Sequence, residues 1–222
     1  MSFKHIIFDC DGVLVDSEPL SMRIDHAFLT EHGLNLTIEE VSNMAIGLTF
    51  EALMEKVERD FGIILPKDLI AEKDARLLAL FEQELKTAPG VDKALAGLAL
   101  PKSVASNSPA ERVEAALRIG SIGKYFGGRI TTFEHVAEGK PAPDIYLLAA
   151  KRAGVRPQDC LVIEDSTAGV TSAVAAGCHV VGYVGLVHDP KPHAKKLKGL
   201  GARQIIERLD ELPDMAAAAI SI

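Results

Sequence analysis

Short β-rich runs alternate with helical patterns along much of this chain, and that alternation leaves few folds open. His5–Asp9, Lys102–Ser106, Arg129–Thr132, Leu161–Asp165 and His179–Val184 each have strand character. The first, HIIFD, has the continuous apolar character of a strand buried on both faces. Between these runs lie helices with clear punctuation. Ser108-Pro-Ala-Glu111 has the spacing of a capping box, with proline at the first helical position, and predicts a helix running to Gly120. Pro143 opens another, ending near Gly154, and Thr167–Ala176 is a third, stopped by Gly177. Strand, helix, strand in succession requires crossover connections, hence an α/β fold with a doubly wound parallel sheet.

Residues 17–86 break the rhythm, with no strand of the core type. Leu20, Ile24 and Phe28 fall at helical spacing before Gly33. Thr37-Ile-Glu-Glu40 resembles a capping box, Thr49 can cap a helix through Phe61 that Gly62 closes, and Pro66 opens a long amphipathic pattern through Leu85. We therefore expect an α/β domain of residues 1–16 and 87–222, interrupted after its first strand by a helical domain of residues 17–86. Ligands of such sheets bind beyond the carboxyl ends of the strands, so an insert leaving from that edge is placed to roof the site.

The first strand raises a charge problem. Asp9 and Asp11 sit at its tip, with Asp16 and Glu18 close behind. Carboxylates crowded at the end of a buried strand are costly unless a cation joins them. Other strand ends supply candidates: Ser106-Asn107-Ser108 after the second strand, Lys140 in Glu-Gly-Lys-Pro-Ala-Pro, and Glu164-Asp165 after a later strand. A parallel sheet brings these ends to one edge. Hard oxygen ligands beside an ammonium suit Mg²⁺, which combines one or two carboxylates with water and phosphate oxygens. The chemistry such a set allows is attack of a carboxylate on phosphorus, with charge neutralised by metal and lysine and a second acid moving the proton.

DCDGVLVDSE, SNS, the lysine of GKPAPD and IEDSTAGV resemble, in order, the four motifs of the haloacid dehalogenase superfamily of phosphohydrolases. The resemblance spans residues 5 to about 185. It implies a Rossmann-like core, and it makes the insert similar to the family's helical C1 cap. Carried over position by position, Asp9 is the nucleophile and Asp11 the general acid and base. Ser106 and Lys140 hold the transferring phosphoryl group, with Asn107 either beside them or fixing the turn. Mg²⁺ is bound by Asp9, the backbone carbonyl of Asp11, and Asp165, with Glu164 ligating or orienting. In the cap, Lys73, Thr49 and Arg76 are expected to face the substrate. The group it most resembles acts on phosphorylated sugars and sugar acids, 6-phosphogluconate among them, or is the β-phosphoglucomutase group.

Within that group the choice is hydrolysis or transfer. The mutase-like pattern has a histidine twelve residues after the nucleophile and an arginine in the first cap loop. Here Ser21 and Phe50 stand at those positions. The chain is therefore expected to be a phosphatase, with a phosphomutase as the alternative. Dehalogenation is disfavoured by Asp11, and a phospho-acceptor signalling module by the insert.

Further expectations come from composition. There are 31 acidic and 24 basic side chains, a net charge of −7, which argues against a nucleic-acid partner. Three cysteines without CxxC spacing suit reduced thiols, and Cys10 reads as packing. No run approaches a membrane span or a signal peptide. A cytoplasmic monomer acting on a small phosphorylated metabolite is the expectation. His188 and His193 read as loop residues, and Asp16 and Glu18 as a helix N-terminal turn.

Overall fold

The computed structural model describes residues 3–45, 48–66 and 69–215. The alanine run 216–219 and the two residues after Pro66 lie outside them. The chain divides into two compact units, Met1–Asp16 with Lys86–Ile222, and Ser17–Leu85. Lys86 falls with the first: its carbonyl accepts from Asp16 N–H (2.9 Å), and Thr87 bridges Val15.

The first unit opens with β1 (His5–Phe8), wholly buried. The chain then enters the second unit, which holds α1 (Glu18–Glu31), α2 (Ile38–Ala45), α3 (Phe50–Phe61) and α4 (Leu69–Glu84). Its cap signals form as read. Thr37 and Glu40 bond reciprocally through side chain and backbone, and Thr49 accepts from Ala52 N–H. Gly62 closes α3 at φ +70°, a conformation that costs glycine little. Phe28, Leu29, Val41, Leu53 and Val57 form this unit's own core. Its helices thus bury their apolar stripes against one another.

Back in the first unit come α5 (Val91–Gly97), β2 (Lys102–Ser106), α6 (Ala110–Ile119), β3 (Ile130–Thr132), α7 (Asp144–Arg152), β4 (Cys160–Glu164), α8 (Thr167–Ala175), β5 (His179–Tyr183), α9 (Pro190–Gly199) and β6 (Gln204–Ile206). The strands form one parallel sheet, in the order β3-β2-β1-β4-β5-β6. β1 lies between β2 and β4, and the order reverses there, so the switch point falls at the carboxyl ends of β1, β2 and β4. Ile7, Val162, Ile145, Tyr146, Val170 and Val180 pack between sheet and helices. β6 had no reading in the sequence, because three residues at an exposed edge carry little pattern.

Two sequence readings change. Ser108 does not cap α6. Pro109 holds the N-cap position, and the Ala110 N–H is taken by Glu134 Oε2 at 2.7 Å. His193 is not a loop residue but lies on α9.

At the opposite end of the sheet, buried His5 links β1 to β2 through Nε2 and Ser103 Oγ (2.8 Å). Burial, and then the charges of Arg129 and Lys102, push its pKa down to about 4. The unfolded chain therefore takes up a proton near pH 6.5 while the folded chain does not. The stabilisation is complete above that pH and is lost as pH falls through about 4. We expect wild-type stability to drop by about 1–2 kcal/mol more than that of His5→Gln between neutral pH and pH ~4.5, after allowance for partial solvent screening. Urea midpoints at both pH values would check this; parallel losses in the two proteins would contradict it.

Candidate active site

Asp9 leaves the end of β1, nine-tenths buried. Its Oδ1 accepts the N–H of Cys10 (2.8 Å) and faces Lys140 Nζ at 2.9 Å. Lys140 reaches in from the loop before α7 and is buried. Its three N–H bonds go to Asp9 Oδ1, Glu164 Oε1 (2.6 Å) and the Ala105 carbonyl (2.9 Å). An ammonium has three donors, so this one is fully satisfied. Asn107 clamps the same residue's backbone: Nδ2 donates to Lys140 O (3.0 Å) and Oδ1 accepts from Lys140 N–H (2.8 Å). Asn107 thus meets Lys140 with both ends of its amide.

Glu164 ends β4 without any exposure. Oε1 accepts from Lys140 and the Tyr146 hydroxyl (2.8 Å), and Oε2 from Ser166 N–H (2.9 Å) and Ser166 Oγ (3.0 Å). Four donors fill the four lone-pair directions of a carboxylate. Gly169 makes room for it: a Cβ there would lie 1.6 Å from Glu164 Oε1. Asp165 lies beyond, close against Gly12, whose added Cβ would sit 2.1 Å from Asp165 Oδ2 and whose φ is +76°. The Asp165 carbonyl accepts from His193 Nε2 (2.5 Å) on α9, a contact with no short-range signal in the sequence.

One carboxylate oxygen from each of Asp9, Glu164 and Asp165 lies within 4.8 Å of the others. The Asp11 side chain turns elsewhere, to Ser108 Oγ, which donates to its Oδ2 at 2.5 Å. Ser106 Oγ, buried at the end of β2, accepts from Ser108 N–H (3.0 Å), so its own proton remains to give. The sheet therefore collects Asp9, Ser106, Asn107, Lys140, Glu164 and Asp165 at one edge. Thr49, Lys73 and Arg76 lie in the second unit. Lys73 pairs with Asp25 (2.5 Å) and lies over the Phe50 ring (4.1 Å). Arg76 pairs with Glu31 and Glu72 over Phe28, and Thr49 caps α3.

The electrostatics say what this pocket needs. Burial, then repulsion from Glu164, push Asp9 up to about 8 against the opposing pull of Lys140. Burial would also raise Glu164, but Lys140 and its hydrogen bonds hold it low. Burial opposes the Lys140 charge, yet Asp9 and Glu164 hold its pKa above the ordinary lysine value. One buried ammonium cannot keep two buried carboxylates ionised, and the half-buried Asp165 adds further negative charge. The all-oxygen donor set and its excess of negative charge fit a hard divalent cation. Cys10 is buried, and burial with the flanking Asp11 and Asp9 pushes its thiol pKa up, as suits packing.

This sheet, with its carboxylates and lysine at the switch point, defines a hydrolase of one large class. Residues 3–177 match the model of the haloacid dehalogenase-like hydrolases, and the chain belongs to that family. It is 29% identical to the 6-phosphogluconate phosphatase of Escherichia coli, over 86% of this chain and 88% of that one. It is 31% identical to the fructose-1-phosphate phosphatase of the same organism, over 81% and 95%. A conserved haloacid dehalogenase-like protein of unknown function from Agrobacterium tumefaciens superposes with a TM-score of 0.85 at 36% identity, over 98% and 99% of the chains. Among the described residues, no helix is long and apolar enough to cross a membrane.

Proposed function

We propose that this protein is a Mg²⁺-dependent phosphatase of small phosphorylated metabolites, chiefly sugar or sugar-acid phosphates, working through an aspartyl-phosphate on Asp9. The observation that carries the reading is Lys140, buried and bonded at once to Asp9 and Glu164 beside the Asp9, Glu164 and Asp165 cluster.

Asp9 forms the bond to phosphorus as the bond to the leaving oxygen breaks, and Asp11 gives that oxygen its proton. Water then attacks phosphorus, Asp11 takes its proton, and Asp9 is regenerated as phosphate leaves. The Cys10 N–H and Lys140 fix one oxygen of the nucleophile. Ser106 Oγ donates a hydrogen bond to a phosphoryl oxygen, and the Lys140 charge offsets the charge of the group in transfer. Asn107 sets the height of Lys140 through its backbone. Asp9, Asp165 and the Asp11 carbonyl would hold Mg²⁺, and Glu164, with all four lone pairs taken, would orient Lys140 and the loop. Mg²⁺, when bound, supplies Lewis-acid neutralisation of phosphoryl charge and keeps Asp9 ionised.

We place substrate discrimination in the helical insert. Lys73, held beside Asp25, is the first residue to vary there, before Thr49 and Arg76. Phe50 is buried with Phe28 and under Lys73, so the position that would need a cation to grip a second phosphate belongs to this unit's core. That favours hydrolysis over mutase transfer.

A panel of phosphate esters with β-glucose 1-phosphate and a trace of the bisphosphate tests the reading. Inorganic phosphate should be released with Mg²⁺, and chelation should abolish turnover reversibly. Full activity in chelator, or glucose 6-phosphate accumulating faster than free phosphate, would overturn it.

A further inference from the structure

The N-terminus of α6 breaks a local rule, and the break points at Asp11. Ser108-Pro-Ala-Glu111 is the sequence of a helix cap, and a serine there normally spends its hydroxyl on the helix's first N–H groups. Ser108 does not. Its O–H goes to Asp11 Oδ2 at 2.5 Å, and its oxygen accepts Arg112 Nη2 at 2.6 Å. The helix is capped instead by Glu134, which reaches across to Ala110 N–H at 2.7 Å. A side chain from another loop thus does the serine's ordinary work. Local rules broken with a compensation elsewhere cluster at functional sites.

Three features make this a holder for Asp11. Ser108 is buried, so water competes little for its hydroxyl. Its N–H is tied to Ser106 Oγ, which fixes it to the end of β2. Arg112 stands one helical turn on and donates to the hydroxyl oxygen at 2.6 Å, which turns the hydroxyl's own proton away from the guanidinium and toward Asp11. Asp11 itself follows β1 by a few residues, on a loop where Gly12 has φ +76°, and such a loop does not fix a side chain by packing alone.

We propose that Ser108, backed by Arg112, is a positioning residue that sets the Asp11 carboxyl for proton transfer. The inference rests on the phosphatase reading, since it gives Asp11 the role of general acid and base. Neither Ser108 nor Arg112 needs to touch the transferring group. The hydroxyl holds one carboxyl oxygen and so fixes the plane in which the carboxyl gives its proton to the leaving group and later takes one from water. A preset Asp11 also suits hydrolysis, because water is always present to be activated.

The test uses the full chain with Mg²⁺ and two esters that differ in their need for an acid. An alkyl ester such as 6-phosphogluconate leaves as a poor alkoxide and requires the proton. p-Nitrophenyl phosphate leaves without one. General acid catalysis is worth about 10²–10⁴-fold, and losing its orientation forfeits part of that. For Ser108→Ala, kcat/KM on the alkyl ester should fall about 10–30-fold and on p-nitrophenyl phosphate less than about 3-fold. Because Ser108 is not the cap, α6 should keep its N-terminus, and the unfolding temperature should fall only by about the few degrees that the lost hydroxyl bonds are worth. Ser108→Thr, which keeps the hydroxyl, should recover most of the loss. Arg112→Gln should show the same split in weaker form. Equal losses on both esters, or none, with the wild type active, would overturn the positioning role and leave the phosphatase reading standing. Absence of Mg²⁺-dependent turnover of either ester by the wild type would overturn both.

Discussion

Asp9→Asn is expected to lose at least ~10⁴-fold in turnover while keeping its fold. The amide is nearly the same size, so the contacts with the Cys10 N–H and the end of β1 survive. It is not a nucleophile, and it removes one buried negative charge. The pocket holds more carboxylates than its lysine can balance, and burial already pushes Asp9 up to about 8. Loss of that charge should therefore leave stability unchanged or raised in the absence of metal. Steady-state rates and a thermal melt in chelator check both halves. A variant with near-normal turnover would remove Asp9 from the chemistry. A variant that is inactive because it is unfolded would contradict the charge argument.

Lys140→Ala should do the opposite to stability. It removes the cation from a site where Lys140, Asp9 and Glu164 are almost wholly buried and leaves two carboxylates facing an emptied space. Breaking a buried pair from one side typically costs about 3–5 kcal/mol. For a chain of this size that is a drop of roughly 6–20 °C in unfolding temperature. Mg²⁺ should recover part of the drop, since it supplies positive charge to the same carboxylates. Turnover should fall by ~10³-fold even with saturating Mg²⁺, because the ammonium also offsets charge in the transferring group. Differential scanning with and without Mg²⁺, beside kinetics, separates the two effects. An unchanged melting temperature would mean that Lys140 is dispensable to the buried charge balance.

The parallel sheet was readable because the signals were local and repeated. β2 and β5 begin where the sequence puts them, and glycines at positions 62 and 177 stop helices at positive φ. The core of the site was readable for a different reason. Asp9, Ser106, Lys140 and Glu164-Asp165 each end or follow a strand, and a parallel sheet brings strand ends together. What escaped the sequence depends on contacts between distant segments. Ser108 has a capping sequence, yet its hydroxyl is claimed by Asp11, 97 positions away, and its cap role passes to Glu134. His193 reaches the Asp165 carbonyl from α9, across a gap of 28 positions. Asn107, which the sequence leaves open between holding phosphate and fixing the turn, meets the Lys140 backbone with both ends of its amide, a contact across 33 positions. Position alone singles out Thr49, Lys73 and Arg76. Position could not show that Lys73 is paired with Asp25, or that Arg76 is shared between Glu31 and Glu72.

The central claim is that phosphate leaves the substrate by way of Asp9. Rapid acid quench during turnover of a radiolabelled phosphate ester, followed by peptide mapping, tests it most directly. The account predicts label in the peptide containing Asp9, formed and lost at rates that match turnover and absent from Asp9→Asn. Steady phosphate release with no label on the protein, or with label on another residue, would contradict it.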